Sequence, residues 1–427
     1  MKEKTELIDF VSDFIDSNSQ EFSIEINQFL YNNPETNFEE FKAHAHLTDY
    51  LEKKPGWEVT RSAFGIDTSF VAIFKHKPKE NSKVISFNAE YDALPEMGHA
   101  CGHNLIATGA IAAAITSAEA MKKFNIAGTI KLFGTPAEEG GDGKGKMLKS
   151  GAYDDVDVSI MHHGNSESPG QAFVRTAASF RFNIEYFGKG AHAGACPWQG
   201  VNALDAASIF MHASSLLRQQ FEATDRIHFI VTDGGAAANI IPDYTRIKGI
   251  IRAINRTKMA ELKKKLVGCV KAGALGSGCT YKINYENEYN DMISNVPLTN
   301  SFRKFFNGFC EKDNEPKLRD FYSEKNLVSS ASTDQGNVSW NIPSLHSFFC
   351  IKSDKEPHTI EFGEAAGKES SHVACLKSAK CMSLTGLEVL YDDEFYTKIH
   401  SSWKADIEIL EPKNIDLNTL DEEFTYN

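Results

Sequence analysis

Short apolar runs that end abruptly in polar residues place the strongest constraint on how this chain folds. In residues 84–104, the apolar run 84–87 predicts a buried parallel strand, and a helix is predicted from about residue 105 to 123. Between them lies a polar loop that contains Glu90, Asp92, Glu96, His99, Cys101 and His103. Because ligands of open α/β sheets bind beyond the carboxyl ends of strands, this loop is a candidate metal site.

Three further apolar runs, 128–133, 156–161 and 343–351, are also predicted strands that lead into residues of this kind. The residues that follow them are Glu138, Glu139, His162, His163 and His358. A lone His in a loop, or an adjacent pair of Glu, is more often structural or solvated. Several strands that each end in such residues are rarely a chance result, so we expect these side chains to converge.

The sequence pattern changes at about residue 176. From there to residue 289 the predicted order is strand, helix, strand, strand, helix, strand, which is the order of a split-βαβ, ferredoxin-like sandwich. We therefore expect residues 176–289 to form a smaller α+β domain. It is inserted into a larger domain made of residues 1–175 and 290–427. In the second part of the larger domain, residues 364–390 predict one long closing helix.

Composition and charge exclude several classes of function. The 427 residues carry a formal net charge of −13, which argues against nucleic acid or an anionic membrane as a partner. No apolar run approaches the length of a membrane span, and the charged N-terminus lacks the apolar core of an export signal. We therefore expect a cytoplasmic protein. The eight cysteines include no C-x-x-C pair and are expected to be reduced thiols.

The strand-end residues offer the sulfur, nitrogen and oxygen donors that divalent transition metals prefer. They are sufficient to hold two metal ions about 3.5–4 Å apart, with one of the two adjacent glutamates left over. A carboxylate beside activated water is a good general base. A structural zinc site would instead be closed by four Cys or His ligands and would have no spare carboxylate.

Longer segments of the chain resemble a known family of enzymes. They are AEYDALPEMGHACGHNLIATGA, GTPAEEGGDGKGKM, GKGAHAGACPWQGVNALDA, ANIIPDYTRIKGIIR, STDQGNVS and PHTIEFGEAAG. The chain resembles the dinuclear metallopeptidases that include aminoacylase, carnosinase and carboxypeptidase G. It is most similar to their amidohydrolase branch, which includes aminobenzoyl-glutamate hydrolases, auxin-conjugate hydrolases and dipeptidases for peptides with a basic residue. The resemblance implies an α/β fold, with a mixed-sheet catalytic domain and an inserted lid and dimerisation domain.

Carried over by motif, the resemblance implies a role for each strand-end residue. Glu138 would be the general base and His162 a packing or outer residue, while Glu90 is expected to orient a ligand. The implied metal ligands are Cys101, His103, Glu139, His163 and His358. In the wider family an aspartate bridges the metals, whereas here Cys101 occupies the ligand-bearing loop. A thiolate favours zinc and a carboxylate–imidazole set tolerates manganese, so the two divalent ions are expected to be zinc or manganese.

In the inserted domain, the resemblance implies that three residues contact the substrate. His192 would stabilise the oxyanion of the reaction, and Asn239 and Arg252 would hold the substrate, Arg252 through a carboxylate. The resemblance also implies a homodimer that forms through the inserted domains. Each subunit would then lend its His192 to the metal site of its partner.

The expected activity is metal-dependent hydrolysis of the amide bond in small molecules, either dipeptides, including those with a basic residue, or N-acyl amino acids. One alternative is an amidase for N-acyl or aromatic amino-acid conjugates, which would use the same residues. Another alternative is an inactive scaffold of the same fold. Such a scaffold would be expected to have lost Glu138 or a metal ligand, and none of these is lost.

Overall fold

The computed structural model describes residues 2–411 and 423–424, which fold into two compact units. The larger unit contains residues 2–175, 292–328 and 333–409. The smaller one contains Thr176–Asp291, Ser329–Ser332 and the described C-terminal residues 410–411 and 423–424. The last two segments were expected in the larger domain. Ser329–Ser332 lies with the smaller unit because Arg252 Nη1 donates to Ser330 O and to Ser332 Oγ, and residues 423–424 pair with the strand Thr280–Tyr289. Residues 412–422 and 425–427, at the end of the expected larger domain, lie outside the described residues.

The strands are, in chain order, β1 Trp57–Arg61, β2 Phe70–His76, β3 Val84–Glu90, β4 Gly128–Thr135, β5 Val158–Asn165, β6 Gly170–Gln171, β7 Ala178–Phe187, β8 Arg226–Asp233, β9 Tyr244–Ala253, β10 Thr280–Tyr289, β11 Ser344–Cys350 and β12 Glu423–Phe424. The helices are α1 Lys2–Ser17, α2 Ser19–Phe22, α3 Phe29–Asn32, α4 Phe41–Glu52, α5 His103–Phe124, α6 Gly143–Lys149, α7 Ala203–Leu217, α8 Arg256–Ser277, α9 Val296–Asp313, α10 Phe321–Glu324, α11 Gln335–Ser339, α12 Ile360–Ala366, α13 Glu369–Tyr391 and α14 Asp393–Leu410.

The larger unit is built on a seven-stranded sheet with the order β1-β2-β4-β3-β5-β11-β6. The four inner strands β4, β3, β5 and β11 pair in parallel, and the outer strands pair antiparallel. This arrangement confirms the predicted α/β fold with a mixed sheet. The carboxyl ends of the four parallel strands meet at one edge, and the predicted strand-end residues follow or lie within these ends.

Helix α5 is the core helix of the larger unit. It has 22 residues and is apolar enough to cross a membrane by length and composition, but 94% of its most apolar window is buried inside the protein. The expectation that no apolar run approaches the length of a membrane span is therefore wrong for α5. Its close packing depends on small residues, because an added Cβ at Gly109 would lie 2.1 Å from the His162 ring.

The smaller unit contains a five-stranded antiparallel sheet with the order β12-β10-β7-β9-β8. Without the short β12, this is the strand order of a ferredoxin-like sandwich. Alternate residues of β7, Phe180, Phe182 and Ile184, are buried in one apolar core with residues of α7 and α8. The predicted succession of strands and helices is therefore the one that the structure contains.

The prediction of a single helix over residues 364–390 is wrong. Helix α12 ends at Ala366 and α13 begins at Glu369, because Lys368 adopts an extended conformation between them. Gly367 is packed so closely against the Tyr31 ring that an added Cβ would lie 2.4 Å from it. The aromatic partner comes from the other end of the chain, so local sequence periodicity does not reveal the break.

The segment that follows β4 carries backbone strain directly before Glu138. Ala137 has a φ of 57°, in the left-handed region that a residue with a side chain rarely adopts. The buried Glu40 stabilises this conformation, because its Oε1 accepts hydrogen bonds from the backbone N–H groups of Ala137 and Phe38, each at 3.0 Å. Glu40 thereby fixes the turn that presents Glu138.

We predict that Glu40→Gln reduces the pH dependence of stability in the metal-free protein. Burial, and next the Asp92 carboxylate, raise the pKa of Glu40 from 4.5 to about 7. The folded state thus binds this proton more tightly than the unfolded chain. The associated stability is present below the unfolded pKa and is lost as the pH rises through 7, by up to about 3 kcal/mol. Glutamine keeps an accepting oxygen and cannot ionise.

Denaturant unfolding at pH 5 and pH 8 measures this effect. The loss of unfolding free energy between the two pH values should be smaller in Glu40→Gln than in the unmodified protein. The control is Glu39→Gln at the neighbouring exposed carboxylate, which should behave like the unmodified protein. An unchanged pH dependence in Glu40→Gln would contradict the assignment.

Candidate metal centre

The loop after β3 turns sharply to present Cys101 and His103. Gly102 has a φ of 77°, which glycine adopts without strain, and it directly precedes the first residue of α5. The turn buries both side chains, with His103 completely inaccessible to solvent. A larger residue at Gly102 would be strained, so the glycine is what allows both ligand types to lie at the start of one helix.

Asp92 links the two ligand-bearing loops of the centre. Its Oδ1 lies 3.1 Å from His103 Nδ1, and its Oδ2 accepts a hydrogen bond of 3.0 Å from the backbone N–H of Glu139. When His103 Nδ1 donates its proton to Asp92, the lone pair lies on Nε2. His103 Nε2 is buried and has no hydrogen-bond partner among the described residues.

His163 and Cys101 meet at the end of β5. His163 Nδ1 lies 2.6 Å from the carbonyl oxygen of Gly164, which makes Nδ1 the proton donor and leaves the lone pair on Nε2. Nε2 lies 3.4 Å from Cys101 Sγ. The side chain of the preceding residue, His162, lies on the other face of the strand, where its Nδ1 is 2.8 Å from Ser378 Oγ. His162 therefore packs against α13 and is outside the cluster.

Glu138, Glu139 and His358 complete the cluster. Glu139 Oε1 lies 3.4 Å from His358 Nε2 and 3.7 Å from His103 Nε2, and Glu138 Oε2 lies 4.0 Å from His103 Nε2. His358 has a left-handed φ of 68° and is held by a 2.8 Å hydrogen bond from its backbone N–H to Ala100 O. This strained backbone is what presents the imidazole, a pattern common at functional sites.

The donor atoms of the predicted ligands and Glu138 form three overlapping groups, and within each group all atoms lie within 4.8 Å of one another. The groups are Cys101 with His103 and His163, Cys101 with Glu139 and His358, and His103 with Glu138 and Glu139. Imidazole nitrogen, sulfur and carboxylate oxygen are the donors that zinc and its neighbours prefer. The buried Nε2 of His103 makes no hydrogen bond within the described part of the chain and faces the oxygens of Glu138 and Glu139, so these residues fit a two-metal centre. Cys101 belongs to two of the groups and lies between them.

The ionisable groups of the cluster shift one another's pKa values. Burial, and then the carboxylates of Glu90 and Glu139, raise the pKa of Glu138 well above its ordinary value. Burial also acts to raise the pKa of Glu139, but its hydrogen bond to His358 and the charge of His103 lower it to about 2. Burial and the nearby Glu139 raise the pKa of the Cys101 thiol. A bound cation acts on all three groups in the direction of the charged form.

The predicted residues of the inserted domain lie in the smaller unit, and two of them share a surface. The loop of His192 pairs with that of Asn239, because Ala193 N–H donates to Asn239 O at 3.0 Å. Both side chains are exposed. His192 Nδ1 accepts hydrogen bonds from the N–H groups of Gly194 and Ala195. Arg252 takes no part in this contact between the two loops. Its Nη1 donates hydrogen bonds to Ser330 O and to Ser332 Oγ.

Sequence reasoning missed three residues next to the cluster. Asp92 was among the polar residues of the first loop but had no assigned role, and Lys144 and Asp334 were treated only as parts of motifs. Lys144 Nζ lies 2.5 Å from Glu90 Oε1 and 2.6 Å from Asp334 Oδ1. Glu90 Oε2 lies 3.6 Å from His103 Nε2, so Glu90 stands between the lysine and a predicted ligand. A buried lysine has no local sequence signal.

Cys, His and Glu side chains thus converge at the parallel strand ends of an α/β sheet, an arrangement that metal-dependent hydrolases use. The profile of Peptidase family M20/M25/M40 matches residues 86–362. The chain is 36% identical to the Xaa-Arg dipeptidase of Mus musculus over 397 residues, which covers 90% of this chain and 89% of that protein. The chain therefore belongs to Peptidase family M20/M25/M40, as the resemblance of its motifs predicted.

More distant relatives agree with this membership. A p-aminobenzoyl-glutamate hydrolase chain of Escherichia coli is 26% identical over 452 residues, covering 91% of this chain and 92% of that protein. A solved structure of a dinuclear metal-binding peptidase of the M20 family from Bacillus subtilis has a TM-score of 0.63 and 19% identity. It covers 87% of this chain and 99% of that chain, which shows a common fold.

We predict that Cys101→Asp weakens the pH dependence of zinc binding. The buried thiol must lose its proton to become a ligand, so zinc affinity should rise about tenfold per pH unit on account of this proton. An aspartate is already ionised at neutral pH, so the slope of log affinity against pH should fall by about one. The preference for zinc over manganese should fall as well, because a hard oxygen replaces sulfur.

Competition with a chromophoric chelator between pH 6 and 8 measures the slope. The matched control is Cys350→Ser, since the Cys350 thiol donates to the carbonyl oxygen of Ser166 and is outside the donor groups. Its slope should equal that of the unmodified protein. An identical slope in Cys101→Asp would exclude Cys101 as a thiolate ligand.

Proposed function

We propose that this protein hydrolyses the amide bond of dipeptides, including those with a basic residue, or of N-acyl amino acids, with two divalent metal ions. The proposal is supported by the convergence of the three overlapping donor groups, one of which contains Glu138. The relative with 36% identity is named as a dipeptidase for peptides that end in Arg, which supports a dipeptide substrate.

Cys101, His103, Glu139, His163 and His358 would hold the metal ions. The chemistry that two divalent ions supply when bound is Lewis acidity, which polarises a carbonyl and lowers the pKa of water. Glu138 then accepts a proton from the attacking water at its carboxylate and delivers it to the nitrogen of the departing amine. Asp92 keeps His103 in the tautomer whose Nε2 lone pair faces the cluster.

His192 is proposed to stabilise the oxyanion. Its Nδ1 accepts hydrogen bonds from the backbone N–H groups of Gly194, at 3.2 Å, and Ala195, at 3.1 Å. The neutral ring therefore carries its proton on Nε2. An Nε2–H group that is held in this way is a preorganised donor for a developing negative charge. Asn239, on the adjacent loop, and Arg252 are proposed to hold the substrate.

We propose that the protein is a homodimer that pairs through the smaller unit. Strand β8 is an edge strand and exposes Ile230 and Val231, with exposed fractions of 65% and 38%. Helix α7 exposes Leu216 at 77%. An exposed apolar edge is usually covered, and two-fold pairing of identical edges is the simplest way to cover it. His192 of one subunit would then act in the site of its partner.

The metal and the compartment are further parts of the proposal. Cys101 in two donor groups favours zinc, while the three His and the Glu of the set tolerate manganese. All eight cysteines are free in the described structure, which suits a reducing, cytoplasmic environment. The alternative of an amidase for aromatic conjugates is supported by the relative named as an aminobenzoyl-glutamate hydrolase, at the lower identity of 26%.

A substrate panel tests the activity. Metal-reconstituted protein is incubated with dipeptides that end in Arg, Lys or a neutral residue, with N-acetyl amino acids and with p-aminobenzoyl-glutamate. Release of free amino acid from the basic dipeptides is the expected result. Preferential cleavage of the aromatic conjugate would favour the amidase. No hydrolysis of any member with zinc or with manganese would reject the proposed function.

We predict that Glu138→Gln abolishes most activity and leaves metal binding intact. Removal of a general base costs roughly two to four orders of magnitude in kcat. Glutamine has nearly the same shape, so fold and metal content should persist. Metal analysis and initial rates measure the two effects. The neighbouring Glu139→Gln is the contrast, since it should lower metal content as well. Near-native turnover in Glu138→Gln would remove this residue from the mechanism.

We predict that two inactive variants restore activity when they form mixed dimers. His192→Ala and Glu138→Gln homodimers each have two damaged sites. If His192 acts in the partner's site, a mixed dimer has one site with both mutations and one intact site. Random pairing makes about half of the dimers mixed, so activity should recover to roughly a quarter of the unmodified level.

Coexpression of the two chains with different affinity tags allows mixed dimers to be purified and assayed. A chain that carries both substitutions gives no intact site in its homodimer and is the negative control. His212→Ala, at an exposed histidine of α7, should retain activity. Mixed dimers without activity would mean that His192 acts in its own chain or not at all.

A further inference from the structure

Three buried carboxylates lie together behind the candidate metal centre. Each of Glu90, Glu138 and Asp334 offers an oxygen, and the three oxygens lie within 4.8 Å of one another. The side chains of Glu90 and Asp334 are completely inaccessible to solvent. Such a group of anions in the interior is stable only if it binds protons or if a cation lies among them. It is also a set of oxygen donors that suits a divalent cation.

The chain supplies a cation of its own at this point. Lys144 is completely buried, and its Nζ lies 2.5 Å from Glu90 Oε1 and 2.6 Å from Asp334 Oδ1. The backbone N–H of Lys144 donates to the other oxygen of Asp334 at 2.8 Å. The lysine is thus bound to Asp334 at both ends, and its ammonium group lies against two of the three carboxylates.

The backbone next to Lys144 is also closely packed and hydrogen-bonded. An added Cβ at the preceding Gly143 would lie 1.8 Å from the carbonyl oxygen of Pro136, so the start of α6 packs directly on the segment that leads to Glu138. Asp142 Oδ1 accepts a hydrogen bond of 3.1 Å from Asn337, on the same short helix α11 that follows Asp334. Lys144 and Asp334 therefore stay in contact although they are 190 positions apart in the sequence.

Electrostatics keep the lysine in its charged form. Burial acts to lower the pKa of Lys144, but the carboxylates of Asp334, Glu90 and Glu138 outweigh this effect and raise it well above its ordinary value. A neutral amine at this position would remove the cation that now contacts both Glu90 and Asp334. The ammonium nitrogen already has four covalent bonds. It therefore pairs with carboxylates through N–H hydrogen bonds and does not coordinate their oxygens as a metal ion would.

We propose that Lys144 is a positioning residue that fills the carboxylate group of Glu90, Glu138 and Asp334 and excludes a third divalent cation from it. A divalent ion in this place would take Glu138 as a ligand, and a carboxylate that is bound to a metal cannot carry a proton from water to the leaving amine. Lys144 confines metal to the donor groups of Cys101 and leaves Glu138 for proton transfer. The inference rests on the proposed function.

Lys144→Met tests the proposal directly. The unmodified protein, dialysed against Mn²⁺, should hold two ions per chain by elemental analysis, and Lys144→Met should hold three. Its kcat should fall by roughly two orders of magnitude or more, as for loss of the general base, while KM changes by less than about threefold. Lys144→Arg keeps a cation in the group and should hold two ions and recover part of kcat.

The matched control is Lys263→Met in the smaller unit. Lys263 is also a buried lysine, and its Nζ forms an ion pair of 2.5 Å with Glu288. This variant should hold two Mn²⁺ ions and keep the kcat of the unmodified protein. A third ion in Lys263→Met would mean that metal binding follows from general destabilisation, which would overturn the proposal.

A second variant covers the case in which Lys144→Met does not fold. Lys144→Met combined with Asp334→Asn removes the cation together with one carboxylate of the group, a kind of change that buried ion clusters often tolerate, and leaves Glu90 in place. This double variant lacks one of the three donors for a third ion, so it should hold two Mn²⁺ ions and have a much higher kcat than Glu138→Gln. A folded double variant that binds two ions but is as inactive as Glu138→Gln would overturn the proposal.

The failure of this inference is distinguishable from failure of the proposed function. If the unmodified protein binds no divalent ion or cleaves no amide, the proposed function is wrong. If it binds two ions and is active, and folded Lys144→Met also binds two with unchanged kcat, only the role of Lys144 is wrong.

Discussion

Parallel pairing of β3 with β4 and β5 aligns strand ends that are far apart in the sequence, and the candidate centre depends on this alignment. Candidate ligands lie in the loop beyond a strand or, in β5, among the last residues of the strand. Asp92 then joins two of these loops, because one oxygen binds His103 and the other binds the backbone of Glu139. A shift in register between β3 and β4 would separate the donors, so the sheet fixes the geometry of the centre.

The buried carboxylates at this edge of the sheet are paired with the ammonium of Lys144 and, in the proposed function, with divalent metal ions. The groups around Cys101 combine imidazole, sulfur and carboxylate and fit divalent metal ions. The group around Asp334 contains only carboxylates and is filled by the ammonium of Lys144. Glu138 belongs to a donor group on each side. In the proposed mechanism this position would put Glu138 beside metal-activated water, as a general base requires.

The strand ends are predictable from the sequence because apolar runs followed by Gly and polar residues are local signals. Asp334 and Lys144 are not predictable in this way, since their contact joins positions 190 residues apart and a lysine normally indicates surface. The break at Gly367 depends on Tyr31, and the attachment of Ser329–Ser332 to the smaller unit depends on Arg252. The family was predictable because its motifs are contiguous segments of the sequence, such as the one that runs from Glu90 to Asn104.

The most direct measurement is a crystal structure of the metal-loaded protein with anomalous diffraction at the metal edges. We expect two ions in each chain, about 3.5–4 Å apart. We expect the protein ligands to be Cys101, His103, Glu139, His163 and His358. Glu138 should be unligated and Lys144 should remain between Glu90 and Asp334. A single ion in a closed four-ligand site, or an ion bound by Glu138 and Asp334, would contradict the account.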